Sequence, residues 1–162
     1  MDAVKLEFAT AQMMPIVLNM ANLYRYDLSE FTHWSIEDDG MHRCYGLEIY
    51  WSHKNLPFII YVNDELAGFV LIETKIDKHQ TQYDIGEFFI LRKFRRFGLA
   101  TIVASELFQR YKGQWTIQQL IQNIPAIKFW EKTLSNYTQN NFETSSMLDK
   151  EVGEMCVMKF SN

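Results

Sequence analysis

Apolar and polar residues alternate along Val4-Lys5-Leu6-Glu7-Phe8, which predicts a half-buried strand at the start of the chain. The period then lengthens. Ile16, Met20, Leu23 and Asp27 fall on one side, with Val17 and Tyr24 beside them, so a helix is expected to about Tyr26 or Leu28. Thr10 is its expected cap, with Pro15 near the first turn. Gly46 to His53 reads as a short second helix. From Pro57 the pattern becomes β-rich: Phe58 to Val62 and Leu66 to Glu73 flank the turn Asn63-Asp64-Glu65, and Gly68 in this hairpin allows close packing or a bulge. Lys75 to Gln82 is polar and reads as an exposed connection, followed by a strand over Tyr83 to Leu91. Helical spacing returns after Gly98 with Ala100, Val103, Ala104, Leu107, Phe108 and Tyr111, and Gly113 stands at a C-cap position. Trp115 to Ile121 is another strand, and Pro125 opens a helix carrying Ala126, Ile127, Phe129, Trp130 and Leu134. Two late strands are expected, near Tyr137–Phe142 and Met155–Phe160. With no repeat, linker or low-complexity segment, residues 1–162 read as one mixed α/β (α+β) domain.

Composition narrows the class. The chain is 48% hydrophobic and 22% charged, as an ordinary globular protein is, with 15% aromatics, enough to line a pocket as well as fill a core. A formal net charge of -4 argues against a general nucleic-acid binder and is compatible with a cationic substrate. Cys44 and Cys156 are far apart, without zinc spacing or a disulfide framework, and isolated thiols suit a reducing compartment. Met1-Asp2-Ala3-Val4-Lys5 does not resemble a signal peptide, and no apolar run is long enough to span a bilayer, so a cytoplasmic protein without membrane partners is expected. His33, His42, His53 and His79 show no metal spacing.

Against that acidic background one stretch stands out. Leu91-Arg92-Lys93-Phe94-Arg95-Arg96-Phe97-Gly98-Leu99-Ala100-Thr101 carries four cations and no acid, and it joins the best strand to the best helix. Helix N-termini expose unpaired N–H groups at the positive end of the dipole. A glycine there lets the chain bend tightly and lets an anion approach. Charge alone leaves two readings open, a phosphate-binding turn and a solvated basic loop.

Arg95-Arg96-Phe97-Gly98-Leu99-Ala100 fits R/Q-x-x-G-x-G/A, and Asn123-Ile124-Pro125-Ala126-Ile127-Lys128-Phe129-Trp130-Glu131-Lys132 fits N-x-x-A-x-x-F/L-Y/W-E-K. In this order and spacing the chain resembles the GNAT acyltransferase superfamily, its bacterial small-molecule type, over roughly Pro57 to Leu134. The resemblance implies a twisted, mostly antiparallel sheet of roughly six or seven strands with about four helices, splayed between the fourth and fifth strands. It implies an acetyl-CoA site. The N–H groups from Arg96 to Ala100 and Thr101, with Arg95 and Arg96, would cradle the pyrophosphate. Phe89, Ile90 and Leu91 would pair with the pantetheine, Asn123 would hold it, and Phe129 and Trp130 would flank the thiol end. Core packing for Phe129 and helix capping for Asn123 are the plain alternatives.

Acetyl transfer to an amine needs a base, because an ammonium of pKa ~10 must lose a proton before it attacks. Glu87 is the first candidate and Asp84 the second. Simple strand parity puts them on opposite faces, and a bulge would reverse that. Each has the alternative of facing solvent or pairing with a neighbouring Lys or Arg. Trp130 stands where many relatives keep a tyrosine and cannot donate a useful proton, which leaves Tyr137 or solvent to protonate the thiolate. The N–H of Ile90 or Leu91 is the expected oxyanion donor. Tyr24, Tyr26, Asp27, Glu30 and Trp34, with Trp51 a further possibility, form an aromatic and anionic group suited to an amine, or simply pack and face solvent. The expected protein is an N-acetyltransferase for a small-molecule amine, monomeric or homodimeric, acting by direct transfer. Its alternatives are a protein lysine or N-terminal acetyltransferase and a non-catalytic CoA-binding sensor.

Overall fold

The computed structural model describes residues 3–52, 54–77 and 80–162, so Met1, Asp2, His53, Lys78 and His79 lie outside the described residues. Seven strands form one sheet in the order β1-β2-β3-β4-β5-β7-β6: β1 (Val4–Phe8), β2 (Leu56–Val62), β3 (Glu65–Asp77), β4 (Gln80–Ile90), β5 (Gln114–Leu120), β6 (Glu143–Asp149) and β7 (Gly153–Ser161). Every pairing is antiparallel except β4–β5. Three α-helices cover it: α1 (Met14–Leu28) on one face, α2 (Leu99–Arg110) and α3 (Ile124–Thr138) on the other. The larger core packs Val103, Leu107, Trp130 and Leu134 against Phe58, Ile60, Ile85 and Trp115, and the smaller packs Val17 and Met20 against Ile59, Phe69 and Leu71.

Four expectations change. A 3₁₀ turn at Ala11–Met13 precedes α1, and the Thr10 side chain makes no capping bond. The Gly46–His53 helix is a 3₁₀ turn over Leu47–Trp51, which leaves three α-helices, not about four. The exposed connection at Lys75–Gln82 is instead mostly strand. β3 and β4 stay paired out to Asp77↔Gln80, where alternating polar side chains suffice because both faces are wet. Tyr137–Phe142 is not a strand. α3 continues to Thr138 because Trp130, Leu134 and Tyr137 repeat at helical spacing, and the strand begins at Glu143.

Two irregularities shape the centre of the sheet. β4 and β5 pair only from Gln82↔Gln114 to Ile85↔Ile117, although both strands run on, so the sheet opens into a gap beyond Ile85. At the mouth of that gap β4 is bulged. Leu71 faces Glu87 and Ile72 faces Ile85, leaving Gly86 without a partner on β3. The extra residue reverses parity. Tyr83 and Ile85 point to the α2/α3 side before it, and Phe88 and Ile90 do so after it, so Asp84 and Glu87 share the α1 face.

Candidate active site

The gap holds a cleft of about 230 Å³. Ile85, Phe88, Ile117 and Trp130 line it from the α2/α3 side, while Tyr24 and Leu28 of α1, with Trp34, Val152 and Met155, line it from the other. The opening therefore passes through the sheet. Glu87 sits in it, partly buried, with the Tyr24 hydroxyl beside it. Burial pushes the Glu87 carboxyl up to about 7, the neighbouring Tyr24 hydroxyl pulling the other way. Tyr24 is held edge-on to Phe69, with ring centroids 5.9 Å apart, and against Phe89 at 5.7 Å. Burial and the Glu87 charge raise its phenol well above the usual range, so it remains a donor.

Asp84 shares the face but not the cleft. It accepts a hydrogen bond from Gln118 Nε2 at 2.9 Å, and burial raises its pKa. Tyr50 stands between the two carboxylates: a Cβ on Gly86 would lie 1.8 Å from the Tyr50 Oη, and both Glu87 and Asp84 act to raise the Tyr50 pKa. Neither Tyr50 nor Gln118 was anticipated from the sequence. The signal for the bulge was there, in apolar residues at 83 and 85 and then at 88 and 90, a step of three inside a period of two.

The basic turn lies at one end of the gap. Arg92–Phe94 makes a 3₁₀ turn, Arg96 and Gly98 take φ of 70° and 80°, and α2 starts at Leu99. Positive φ at Gly98 is the reason for glycine there, since space around its position is open. The first-turn N–H groups at Leu99, Ala100 and Thr101 have no intrahelical acceptor. Phe97 is exposed. The cations divide. Arg92 Nη2 donates to Asp27 at 2.8 Å, Arg95 Nη2 donates to the other Asp27 oxygen, and Lys93 Nζ donates to Glu65 at 2.6 Å. Among the described residues Arg96 alone of the four has no acidic partner.

The strand edge beside the gap is open in a defined way. Leu91 N–H donates to Ala67 O at 2.8 Å, so Leu91 is not the oxyanion donor the sequence suggested. By antiparallel alternation Phe88 and Ile90 present their N–H groups to the gap. Gly68 makes this geometry possible, because a Cβ there would sit 2.0 Å from Phe89 O. Asn123 caps α3 by accepting the Ala126 N–H at 3.2 Å and also lines the cleft. Trp130 lines it too, edge-on to Phe88, whereas Phe129 stacks on Phe88 as part of the core.

The remaining expected residues divide. Tyr137 packs on Phe108 and Phe160, and its hydroxyl accepts from Asn162 Nδ2 at 3.1 Å, away from Glu87. Tyr26 is exposed against His42, and Glu30 is exposed. Trp34 lines the cleft with the Arg25 guanidinium 4.2 Å over its ring. Trp51 ties its indole N–H to Ala9 O at 2.8 Å. Asp27 is held by Arg92 and Arg95, which keep its carboxyl below the usual range despite partial burial, so it is not an open site for an amine. Gln119 lines the cleft with both amide atoms buried and unpaired among the described residues, an unspent donor and acceptor in a small space.

The acetyltransferase (GNAT) family model matches residues 20–135. The chain belongs to that family. Solved structures share its shape. Arabidopsis thaliana Naa50, in complex with the bisubstrate analogue CoA-Ac-MVNAL, has a TM-score of 0.62 at 15% identity, covering 99% of both chains. RimL, a ribosomal L7/L12 alpha-N-protein acetyltransferase in complex with coenzyme A, has a TM-score of 0.69 at 12% identity over 98% of this chain and 93% of its own. The aminoglycoside acetyltransferase AAC(6')-Ib in complex with coenzyme A reaches 0.66 at 16% identity, over 99% of this chain and 95% of its own. No curated protein sequence matches the chain. No helix among the described residues is long and apolar enough to cross a membrane.

Proposed function

We propose that this acetyltransferase moves the acetyl group of acetyl-CoA to a primary amine of a small molecule by direct transfer, with both substrates bound at once. The observation that carries this reading is the cleft through the sheet, with the cofactor turn at one end and the pKa-raised Glu87 inside. The residues fit the cofactor. The Arg96–Thr101 turn offers N–H groups and one uncommitted guanidinium to a pyrophosphate. The open edge at Ile90, together with the orphaned Gln119 amide, offers donors and an acceptor to the amide groups of a pantetheine arm.

Acetyl-CoA supplies an activated thioester. Everything else falls to the chain. Glu87, with a pKa near 7, takes a proton from the incoming ammonium, directly or through a water. Phe88 N–H, the open-edge donor next to Glu87, takes up charge developing on the carbonyl oxygen, and Ile90 N–H is left to the pantetheine. Solvent returns a proton to the thiolate, since the Tyr24 phenol beside the base is raised well above its usual range. Between small-molecule and polypeptide acceptors, the small cleft favours the first. Leu28, Trp34 and Val152 line it on the α1 side.

The test is release of free thiol from acetyl-CoA with a panel of small amines beside peptides with free N-termini and lysine peptides. Turnover with small amines at least about tenfold above the peptides supports the reading, the discrimination one or two lost contacts produce. A preference for peptides replaces the acceptor class. CoA binding without turnover on any amine points to a sensor, and unchanged CoA affinity in Gly98→Asp would remove the phosphate-turn assignment.

A further inference from the structure

Four cations in five residues repel one another, and a turn built from them needs an anion to hold its shape before any phosphate arrives. Asp27, at the last turn of α1, supplies that anion. Its Oδ1 accepts from Arg92 Nε at 3.2 Å and from Arg92 Nη2 at 2.8 Å, and its Oδ2 accepts from Arg95 Nη2. The Arg95 side chain is then fixed on three sides: by Asp27, by its Nε donating to Ile90 O at 2.7 Å, and by the Phe89 ring 5.4 Å from its guanidinium carbon. Ile90 is the last residue of the open strand edge, so Arg95 ties that edge to the turn. The carboxylate end of the pair is the sheltered one, with the Asp27 side chain 17% exposed against 73% for Arg92. Tyr24, three residues earlier on the same helix face, stands beside Glu87.

We propose that Asp27 is a positioning residue for the cofactor turn, and that the last turn of α1 is a bracket setting the pyrophosphate site and the base relative to each other. This rests on the acetyl-CoA reading above. It assigns the arginines different work: Arg92 and Arg95 belong to the frame, and Arg96 is the cation that meets the phosphate.

The experiment compares wild type with Asp27→Asn, Asp27→Glu and Arg92→Met. CoA affinity is measured by titration calorimetry, and steady-state KM is measured with acetyl-CoA, with acetyl-pantetheine, which lacks the pyrophosphate, and with the amine. In Asp27→Asn the CoA dissociation constant and the acetyl-CoA KM should rise about tenfold, as for loss of a charge-assisted hydrogen bond. The acetyl-pantetheine KM and the amine KM should hold, and Asp27→Glu should recover part of the loss. Arg92→Met, altering the exposed partner, should move CoA affinity in the same direction by less and keeps the question answerable should Asp27→Asn fold poorly. A rise in amine KM alone would return Asp27 to the acceptor site. Equal losses with both donors, or a lower melting temperature with CoA affinity unchanged, would reduce it to a structural residue. Absence of CoA binding by the wild type would instead overturn the function on which this rests.

Discussion

The two halves of β4 carry similar side chains and live in different worlds. From Gln82 to Ile85 the strand is paired on both edges, and its acid, Asp84, is occupied by Gln118 of the neighbouring strand. From Gly86 to Ile90 the β5 edge is open, and its acid, Glu87, faces a cleft beside the Tyr24 hydroxyl. Both carboxyls are raised by burial. What separates them is backbone pairing. An acid in a complete sheet finds a neighbour, and an acid where the sheet parts finds room for a substrate.

The sharpest way to break the comparison is to neutralise each acid. Glu87→Gln should lower kcat by about 10²–10⁴, the usual contribution of a positioned base, with CoA affinity retained. Asp84→Asn should change kcat by no more than about threefold, since it loses one hydrogen-bonded pair outside the cleft. Loss of turnover in Asp84→Asn with survival in Glu87→Gln would reverse the roles.

The bulge comes next. In Gly86→Ala the new Cβ collides with the Tyr50 hydroxyl, so the strand or the tyrosine must move. Overpacking of this kind costs about 1–3 kcal/mol of stability by chemical denaturation. Displacement of Glu87 should lower kcat roughly ten- to a hundredfold, with Tyr50→Ala in the same chain restoring part of it. A Gly86→Ala protein with full stability and activity would show that the bulge does not place the base.

Proton linkage tests the same site without moving it. The Glu87 pKa is about 7 in the folded protein against an ordinary 4.5, so between these values the folded state holds a proton that the unfolded chain has released. Stability should therefore fall as pH rises through that window, by up to about 1.4 kcal/mol per pH unit, and level off above it. Glu87→Gln should remove that component of the slope. In wild type, kcat/KM should rise through about pH 7 and then plateau.

Tyr24→Phe is the mildest change. Without the hydroxyl, which favours the carboxylate, the Glu87 pKa moves up, so activity at pH 7 drops about two- to threefold and recovers at higher pH. A downward shift would mean that the hydroxyl does not stabilise the carboxylate.

The same division decides what could be read from the residue string. The shape of the basic turn was legible because Arg95 to Thr101 is contiguous and its geometry is local: a cation-rich approach, a glycine of positive φ and a helix start. The open edge, the Asn123 cap and the place of Trp130 followed from it. The base site was legible only as a pair of names. Glu87 and Asp84 were found, but the face they share depends on an unpaired glycine opposite Leu71 and Ile72, a property of two strands together. Tyr50 could not be read at all, since nothing near it in the chain announces Gly86 as its neighbour. Asp27 was found for the wrong reason. An acid beside tyrosines suggested an amine, whereas its partners are arginines on a turn far along the chain. Tyr137 failed through an ordinary error of period, a helical residue taken for a strand.

A sheet is ordinarily a wall, and this one has a doorway. With side chains of both faces lining one passage, the proposed donor and acceptor would have separate approaches and meet only at the threshold. Neither has to wait for the other's product to clear its own path. Free CoA should therefore inhibit competitively against acetyl-CoA and not against the amine, and the acetylated product should show the mirror-image pattern.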